Sequence, residues 1–256
     1  MDIGLLQILL TGLIIGGCSF IQGVAGFAYS LLAVPLLMLV GFQLPDAVLL
    51  SLPGSITTRL LVVQHCRQHI QWKPLWGMLP FCAIGLVIGV FCLKQLTTLP
   101  SETVRQYIGA IILLTVAMRL FVKIEPVDSV LSIWGFTAAF FSGILGGTAN
   151  IGGPPLVLWV VAHKWSTECT RAIMPAFTLM TTPLQLVLLW IGFGGKMWAG
   201  LGLGALYLPL IFLAVWLSNR TSRKLSQERM RLIIITLLAF IGAGYLFSPM
   251  LKGLFV

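Results

Sequence analysis

Acidic residues are scarce in this sequence, and none of them lies in the middle of an apolar stretch. The 256 residues include 7 Asp and Glu against 16 Lys and Arg. A carboxylate at mid-membrane is the usual proton relay or cation ligand of a transporter, so its absence argues against cation antiport and against a proton relay. The sequence also lacks H-E-x-x-H, an intramembrane acid pair and a Walker glycine loop, which argues against an integral membrane enzyme and an ATP-driven pump.

Paired cysteines and a basic leader are also missing. The five cysteines, at positions 18, 66, 82, 92 and 169, form no C-x-x-C pair, so no disulfide framework is predicted. His65, Cys66 and His69 could share one helical turn, but no acidic or further thiol partner accompanies them, and we predict no metal and no cofactor. Residues 1–4 carry no basic n-region, so the first apolar run is expected to stay in the mature protein.

Apolar residues dominate the composition. Hydrophobic residues make up 58% of the chain, charged residues 9%, and the mean hydropathy is +1.02. Apolar stretches near or above the length that crosses a bilayer follow one another at 3–41, 46–64, 74–94, 104–122, 130–162, 172–191, 197–217 and 232–250. This pattern predicts an all-α integral membrane protein in contact with the lipid bilayer. The net charge of +9 does not indicate nucleic acid, because the basic residues are confined to loops and helix ends.

Two of these stretches are too long to be single helices. Residues 3–41 would form a rod of about 58 Å and residues 130–162 one of about 50 Å, against an apolar bilayer core of about 30 Å. Each contains a glycine-rich break, Gly23-Val24-Ala25-Gly26 in the first and Gly146–Pro155 in the second. Each stretch must therefore fold back, as two spans or as a re-entrant hairpin, which predicts about 8–10 membrane-inserted helical segments with broken helices.

The two halves of the chain, residues 1–126 and 127–256, repeat one order of segments. In each half a long broken stretch precedes three ordinary ones, and an offset of 127 places Gly26 on Gly153. If each long stretch returns to its starting side, one face collects Arg59, Arg67, Lys73, Arg119, Lys123, Lys164, Arg171, Arg220, Arg223, Lys224, Arg229 and Arg231, and the other Lys94, Arg105, Lys196 and Lys252. This positive-inside bias predicts two inverted-topology repeats that together form one transmembrane transport domain.

Two sequence segments carry a resemblance to a known family. Residues 18–27 read C-S-F-I-Q-G-V-A-G-F and are followed by L-A-V-P-L at 32–36, while residues 142–147 read S-G-I-L-G-G and precede I-G-G-P-P-L at 151–156. With the length, the halves and the segment order, they resemble the TauE/SafE family of sulfite and organosulfonate permeases. The resemblance implies a secondary transporter of the bacterial inner membrane, not an enzyme, which moves sulfite, an organosulfonate or another small anion by alternating access.

The second break has the chemistry of an anion site. Pro154 and Pro155 suit the first turn of a short helix over about 154–163, whose free N–H groups and positive dipole end attract an oxyanion. Gly152 and Gly153 let the backbone approach a ligand, although they would equally permit close helix packing. With two side-chain donors added, the substrate-binding residues predicted here are Thr148, Asn150, Gly152, Gly153 and Pro154.

The first break and one arginine complete the predicted site. The substrate-binding residues predicted at this break are Gln22, Gly23 and Gly26, with Ser19 and Tyr29 as further polar candidates. Arg59 is the deepest charge in its stretch and is added to the set as an anion attractor. An extension of its side chain to the membrane interface is an equal alternative.

Other readings are compatible with the same residues. An anion channel fits the composition, while an integral membrane enzyme or a metal-ion transporter fits it less well because no catalytic or ligand cluster is present. Coupling to Na⁺ or to a proton is allowed.

Gly85-x-x-x-Gly89 permits a close helix contact within one protomer or in a homodimer. One polar helical face suits a cavity wall or hydrogen bonding between helices, and it consists of Thr178, Thr181, Thr182 and Gln185.

Overall fold

The computed structural model of this chain describes residues 4–25, 28–121, 127, 130, 132–221 and 227–247, without the helical side chains at 65, 66, 69, 119, 121, 167, 168, 171, 219 and 227–231. Within these ranges the chain forms eleven α-helices and a 3-10 turn at Arg67–His69. The helices are α1 (Leu5–Ala25), α2 (Tyr29–Leu39), α3 (Leu44–Cys66), α4 (Trp72–Leu96), α5 (Ser101–Phe121), α6 (Ser132–Ala149), α7 (Gly153–Val161), α8 (Thr167–Phe193), α9 (Lys196–Ala205), α10 (Leu208–Thr221) and α11 (Gln227–Leu246). The predicted all-α class is confirmed.

Each apolar stretch of the sequence coincides with one helix or with one broken pair of helices. Four helices contain segments long and apolar enough to cross a membrane, namely Leu5–Val24, Leu44–Gln64, Trp72–Leu96 and Ala172–Phe193. The pair α9 and α10 gives a fifth candidate span, although it bends by 48° at its break. The chain is therefore a multi-pass membrane protein, as its hydropathy predicts.

The bend between α9 and α10 differs from expectation, because residues 197–217 were predicted to form one ordinary segment. At the end of α9, a Cβ on Gly204 would overlap the carbonyl of Leu50, so α9 lies directly against the backbone of α3. Pro209 is the second residue of α10, where a missing N–H is tolerated only at the start of a new helix. The break is thus set by a proline and by contact with a neighbouring helix.

The first broken stretch is a hairpin with one long and one short arm. At 1.5 Å per residue, the 21 residues of α1 extend about 31 Å and the 11 residues of α2 about 16 Å. Near the start of α1, the side-chain amide of Gln7 donates a hydrogen bond over 3.5 Å to the carbonyl of Val40, just after α2. The stretch therefore returns to the side on which it begins.

The second broken stretch repeats this shape. The 18 residues of α6 extend about 27 Å and the 9 residues of α7 about 13 Å. Val127, which precedes α6, donates its N–H over 2.9 Å to the carbonyl of Ala162, which follows α7. A short arm of this length covers about half of a bilayer core, so of the two predicted shapes the structure has the re-entrant one.

Reciprocal glycine contacts hold α4 against α6. On α4, a Cβ at Gly85 or Gly89 would overlap a backbone carbonyl of α6. On α6, a Cβ at Gly143 would overlap a carbonyl of α4, and one at Gly147 would lie 2.7 Å from the carbonyl of Leu86. Small residues at this spacing let two helix backbones touch. The Gly85-x-x-x-Gly89 contact is thus made within one protomer, so it gives no reason to expect a homodimer.

Helix packing follows a two-fold pattern. α4 packs on α6 as α10 packs on α1, α4 packs on α8 as α9 packs on α3, and the pairs α3 with α8 and α5 with α11 each join equivalent helices. These are the contacts that an exchange of the two halves would produce. The boundary between residues 126 and 127 and the inverted orientation of the halves stay predictions.

Candidate functional site

A cavity of about 60 Å³ lies between the two helix breaks. It is lined by Gln22, Ala28, Tyr29, Ser30, Leu31, Arg59, Thr115, Asn150, Ile151, Gly153, Pro154, Met174, Pro175 and Thr178. Five of the nine residues predicted to bind substrate are among them, namely Gln22, Arg59, Asn150, Gly153 and Pro154. The structure thus brings both breaks and the arginine to one place.

The first break is organised by the side chain of Gln22. Ala28 has a left-handed backbone, with φ 91°, which separates α1 from α2. The Tyr29 N–H at the start of α2 donates a hydrogen bond over 3.0 Å to Oε1 of Gln22, a buried residue of α1. This bond satisfies one of the N–H groups that a helix start leaves without an intrahelical partner. The amide oxygen of Gln22 is therefore engaged, and its NH₂ group is the part that can serve a ligand.

Two glycines predicted at the first break have other positions. Gly23 faces α10, where an added Cβ would overlap the Ser218 side chain, so this glycine permits close packing of α1 on α10. Gly26 lies outside the described residues. Ser19, a further polar candidate, donates its hydroxyl over 2.7 Å to the carbonyl of Ile15 on its own helix.

The second break is organised by Asn150, whose left-handed backbone has φ 57°. Asparagine tolerates this conformation better than most residues, which suits the end of α6. Its side-chain nitrogen lies 3.4 Å from the hydroxyl oxygens of both Ser51 and Ser55 on α3. Gln185 of α8 donates to the carbonyl of Gly146 over 3.0 Å. Hydrogen bonds with side chains of α3 and α8 therefore fix the position of this break.

The short helix after this break begins as predicted. α7 spans Gly153–Val161 with proline in its first turn, close to the expected range 154–163. A Cβ at Gly153 would meet only the Met174 methyl group, at 3.8 Å, so Gly153 faces the cavity. The alternative role of these glycines, close helix packing, therefore does not apply to Gly153.

Two other residues of the predicted set do not line the cavity. Gly152 packs against α6, where an added Cβ would lie 2.7 Å from the carbonyl of Ser142, and the Ser142 hydroxyl donates to the Gly152 carbonyl over 2.6 Å. Thr148 donates its hydroxyl to the carbonyls of Ile144 at 2.7 Å and Gly89 at 3.2 Å. Both residues therefore stabilise the break through contacts outside the cavity.

The cavity lies near the middle of α3. The Tyr29 ring, at the start of α2, lies across Gly54, where an added Cβ would overlap the phenol. Gly54 is the eleventh of 23 residues in α3, about 15 Å from the start of a helix about 34 Å long. The first turns of α2 and α7 therefore meet at mid-depth. Two positive dipole ends favour an anion between them, together with the N–H groups of the first turns that Gln22, Pro154 and Pro155 leave available.

The charge of Arg59 adds to this field. Arg59 is half-buried on α3 and lines the cavity together with Tyr29. Asp46 and Glu102, which begin α3 and α5, are the carboxylates whose side chains the structure describes, and neither lines the cavity. Within the described residues the cavity thus carries one positive charge and no negative one, and a cation would not be stabilised there.

Sequence reasoning missed several lining residues. Thr115 was the one polar residue between Tyr107 and Arg119 in an apolar stretch, so a signal was present. Its hydroxyl donates over 2.9 Å to the carbonyl of Ile111, one turn earlier. No sequence pattern identified Ser30 or Met174 as a lining residue. Their place at the cavity depends on tertiary contacts.

The polar face of α8 divides between the two predicted roles. Thr178 lines the cavity, as a wall residue should. Thr181 and Thr182 both donate to the carbonyl of Thr178, and Gln185 makes the interhelical bond to α6. In the part of the chain that the structure describes, no cluster of three His, Cys, Asp or Glu could hold a metal ion. The side chains of the candidate triplet 65, 66 and 69 lie outside it.

One arginine without a neighbouring carboxylate among the described side chains and two helix starts lie at one cavity of a multi-pass helical protein, an arrangement typical of a membrane transport protein. Comparison with known families agrees. A model described as "Sulfite exporter TauE/SafE" matches residues 8–245, and the chain belongs to that family. It is therefore a transporter and not an enzyme.

One relative is similar along nearly its whole length. A protein of Cupriavidus necator strain H16, named "Probable sulfite/organosulfonate exporter TauE", is 24% identical over 247 residues, which cover 90% of each chain. No solved structure gives a significant match.

Proposed function

We propose that this chain is a secondary transporter of a small sulfur oxyanion, with sulfite as its best probe, and that the anion binds in the cavity between the two breaks. The observation that carries the proposal is the convergence of the α2 and α7 starts with Arg59 in a cavity lined by no carboxylate among the described side chains. Anions bind at helix starts because free N–H groups and the dipole act together. The name of the Cupriavidus relative supplies the sulfur chemistry.

The cavity is the point about which access would alternate. α1–α2 returns to the side on which it begins. After three crossings of the chain, by α3, α4 and α5, α6–α7 starts on the opposite side and returns to it, as the charge distribution predicts. In an inverted pair of repeats, the short arms enter from opposite faces and their starts meet at the midplane. We place the protein in a bacterial inner membrane with the loops at 67–71 and 162–166 in the cytoplasm.

Cysteine accessibility tests this orientation. In a background without native cysteines, single replacements at the exposed residues Gln68 and Ser166 should react only after the cytoplasmic side is opened. Replacements at Thr97 and Gly195, which are both exposed, should react in intact cells. Labelling of Gln68→Cys and Ser166→Cys from opposite faces would show that the two halves do not form an inverted pair.

Transport itself is tested with purified protein in liposomes under anaerobic conditions, because sulfite is easily oxidised. Radiolabelled sulfite should enter protein-containing vesicles without ATP, and its initial rate should saturate with concentration. A linear rate at all concentrations would favour the channel alternative. Imposed Na⁺ or pH gradients in the same vesicles identify the coupling ion. Absence of sulfite, sulfate, thiosulfate and sulfonate flux in all arms would refute the proposed function.

A further inference from the structure

Two residues that line the cavity, Tyr29 and Ser30, carry buried hydroxyls with no partner in the described part of the chain. Tyr29 is 1% exposed and Ser30 6%, and both residues line the cavity. Neither hydroxyl oxygen has a hydrogen-bond partner among the residues that the structure describes. A buried hydroxyl without a partner is costly, so native proteins rarely keep one that serves nothing.

The residues that carry these hydroxyls stand at the start of a helix. Tyr29 and Ser30 are the first two residues of α2, whose first turn lines the cavity opposite Asn150 and Gly153. Arg59 lines the same cavity as these two residues. One region of the cavity therefore combines a guanidinium, two unpartnered hydroxyl donors and a helix start. An oxyanion is the ligand that can accept from all of them.

We propose that the Tyr29 and Ser30 hydroxyls donate hydrogen bonds to the bound anion, and that the site takes a compact sulfur oxyanion in preference to a bulky organosulfonate. This inference rests on the proposed function and deepens it.

The size preference follows from the volume. A water-sized group needs about 10–15 Å³ of such cavity volume, so about four to six non-hydrogen atoms fit in 60 Å³. Sulfite, with four, fits wholly inside, whereas the ring of an aryl sulfonate would extend beyond this volume.

Removal of each hydroxyl distinguishes a role in anion binding from a role in protein stability. For Tyr29→Phe and Ser30→Ala, sulfite affinity measured by calorimetry on the purified full-length protein should fall about tenfold each, because a donor to a charged ligand is lost. The melting temperature without anion should stay unchanged or rise, since no protein hydrogen bond is broken. A merely structural hydroxyl would give the opposite result, a lower melting temperature with unchanged affinity.

Two controls match these changes. Thr11 is another buried hydroxyl residue, on α1 and outside the cavity, so Thr11→Val should leave sulfite affinity unchanged. The Tyr245 hydroxyl does have a partner, the carbonyl of Pro35, so Tyr245→Phe should lower the melting temperature. If Tyr29→Phe does not fold, Gly54→Ala serves instead, because the new methyl group displaces the phenol. It should weaken sulfite binding to a similar degree.

The outcomes distinguish this inference from the proposed function. Sulfite binding by the unaltered protein that is lost in Arg59→Gln but unchanged in Tyr29→Phe and Ser30→Ala overturns the inference and leaves the function intact. Benzenesulfonate binding as tight as sulfite binding overturns the size preference. If the unaltered protein binds no sulfur oxyanion, the proposed function fails, and the inference fails with it.

Discussion

The two helix breaks look alike in outline but present different chemistry to the cavity. The α1–α2 break contributes side chains, because Gln22 caps α2 while the Tyr29 and Ser30 hydroxyls are free of protein partners within the described residues. The α6–α7 break contributes backbone and a small-residue wall, through Gly153 and Pro154. If the anion binds here as we propose, one half of a repeated fold supplies directional donors and the other allows close approach.

Glycines play unequal roles in the same comparison. Gly143 and Gly147 belong to the contact with α4, and Gly152 packs against α6, whereas Gly153 faces the cavity. A glycine-rich motif thus combines residues that stabilise packing with one that makes room for a ligand. Substitutions at these positions should separate the two roles.

The largest effect is expected at Gly153. Gly153→Leu places a side chain in the cavity and meets only the flexible end of Met174, so the fold should persist while sulfite transport falls at least about 100-fold. Gly202→Leu is the matched control, because an added Cβ at this exposed helical position meets nothing within 4 Å. Vesicle flux and gel filtration compare the two. Normal flux through a well-folded Gly153→Leu variant would show that Gly153 serves helix packing and not substrate binding.

Arg59 should rank second. Arg59→Gln removes the cavity's positive charge, and the sulfite KM should rise about 10- to 100-fold, more from the cytosolic side than from the outer side. Arg59→Lys should recover much of the loss if charge alone matters, but little if two planar hydrogen bonds are needed. Arg67→Gln, at an exposed residue just beyond α3, is the control. Unchanged KM from both sides in Arg59→Gln would leave recognition to the helix starts.

Substitution of Asn150 tests whether the second break recognises the anion through a side chain or through the backbone. Asn150→Gly keeps the left-handed backbone, which alanine would strain, and removes the contacts with Ser51 and Ser55. We expect a roughly tenfold loss of transport, and we expect the Ser51→Ala/Ser55→Ala variant to reproduce most of it. A double serine variant with normal flux beside an impaired Asn150→Gly would assign Asn150 to direct contact with the anion.

The smallest effect concerns the shape of the cavity. Met174→Ala should enlarge it next to Gly153 and raise the relative affinity for methanesulfonate or taurine over sulfite by about 3- to 10-fold. Competition against labelled sulfite measures the change. Met180→Ala on the same helix, which does not line the cavity, should leave the ratio unchanged. If both variants behave alike, Met174 does not limit substrate size.

The parts of this account that were predictable from sequence rest on local chemistry. A cluster of glycines with prolines interrupts a helix more readily than a single one, such as Pro53 within α3 or Pro80 within α4. The breaks, the start of α7 and the eight apolar stretches could therefore be predicted directly. Whether Gly147 or Gly153 faces a ligand depends on which helix lies opposite, and that is a tertiary property. Ser30 and Thr115 reach the cavity for the same reason. The bend before α10 had a local signal in Pro209, which long apolar periodicity concealed.

The central claim is that one anion binds between the two breaks at mid-membrane. Selenite is a close analogue of sulfite and contains a heavier scatterer, so a crystal structure of the unaltered protein with selenite can locate it by anomalous diffraction. We predict one selenium peak in the cavity between Arg59, the first turn of α2 and Gly153, and its loss in Gly153→Leu. A selenium peak only elsewhere in the protein, with this cavity empty of anion, would contradict the account.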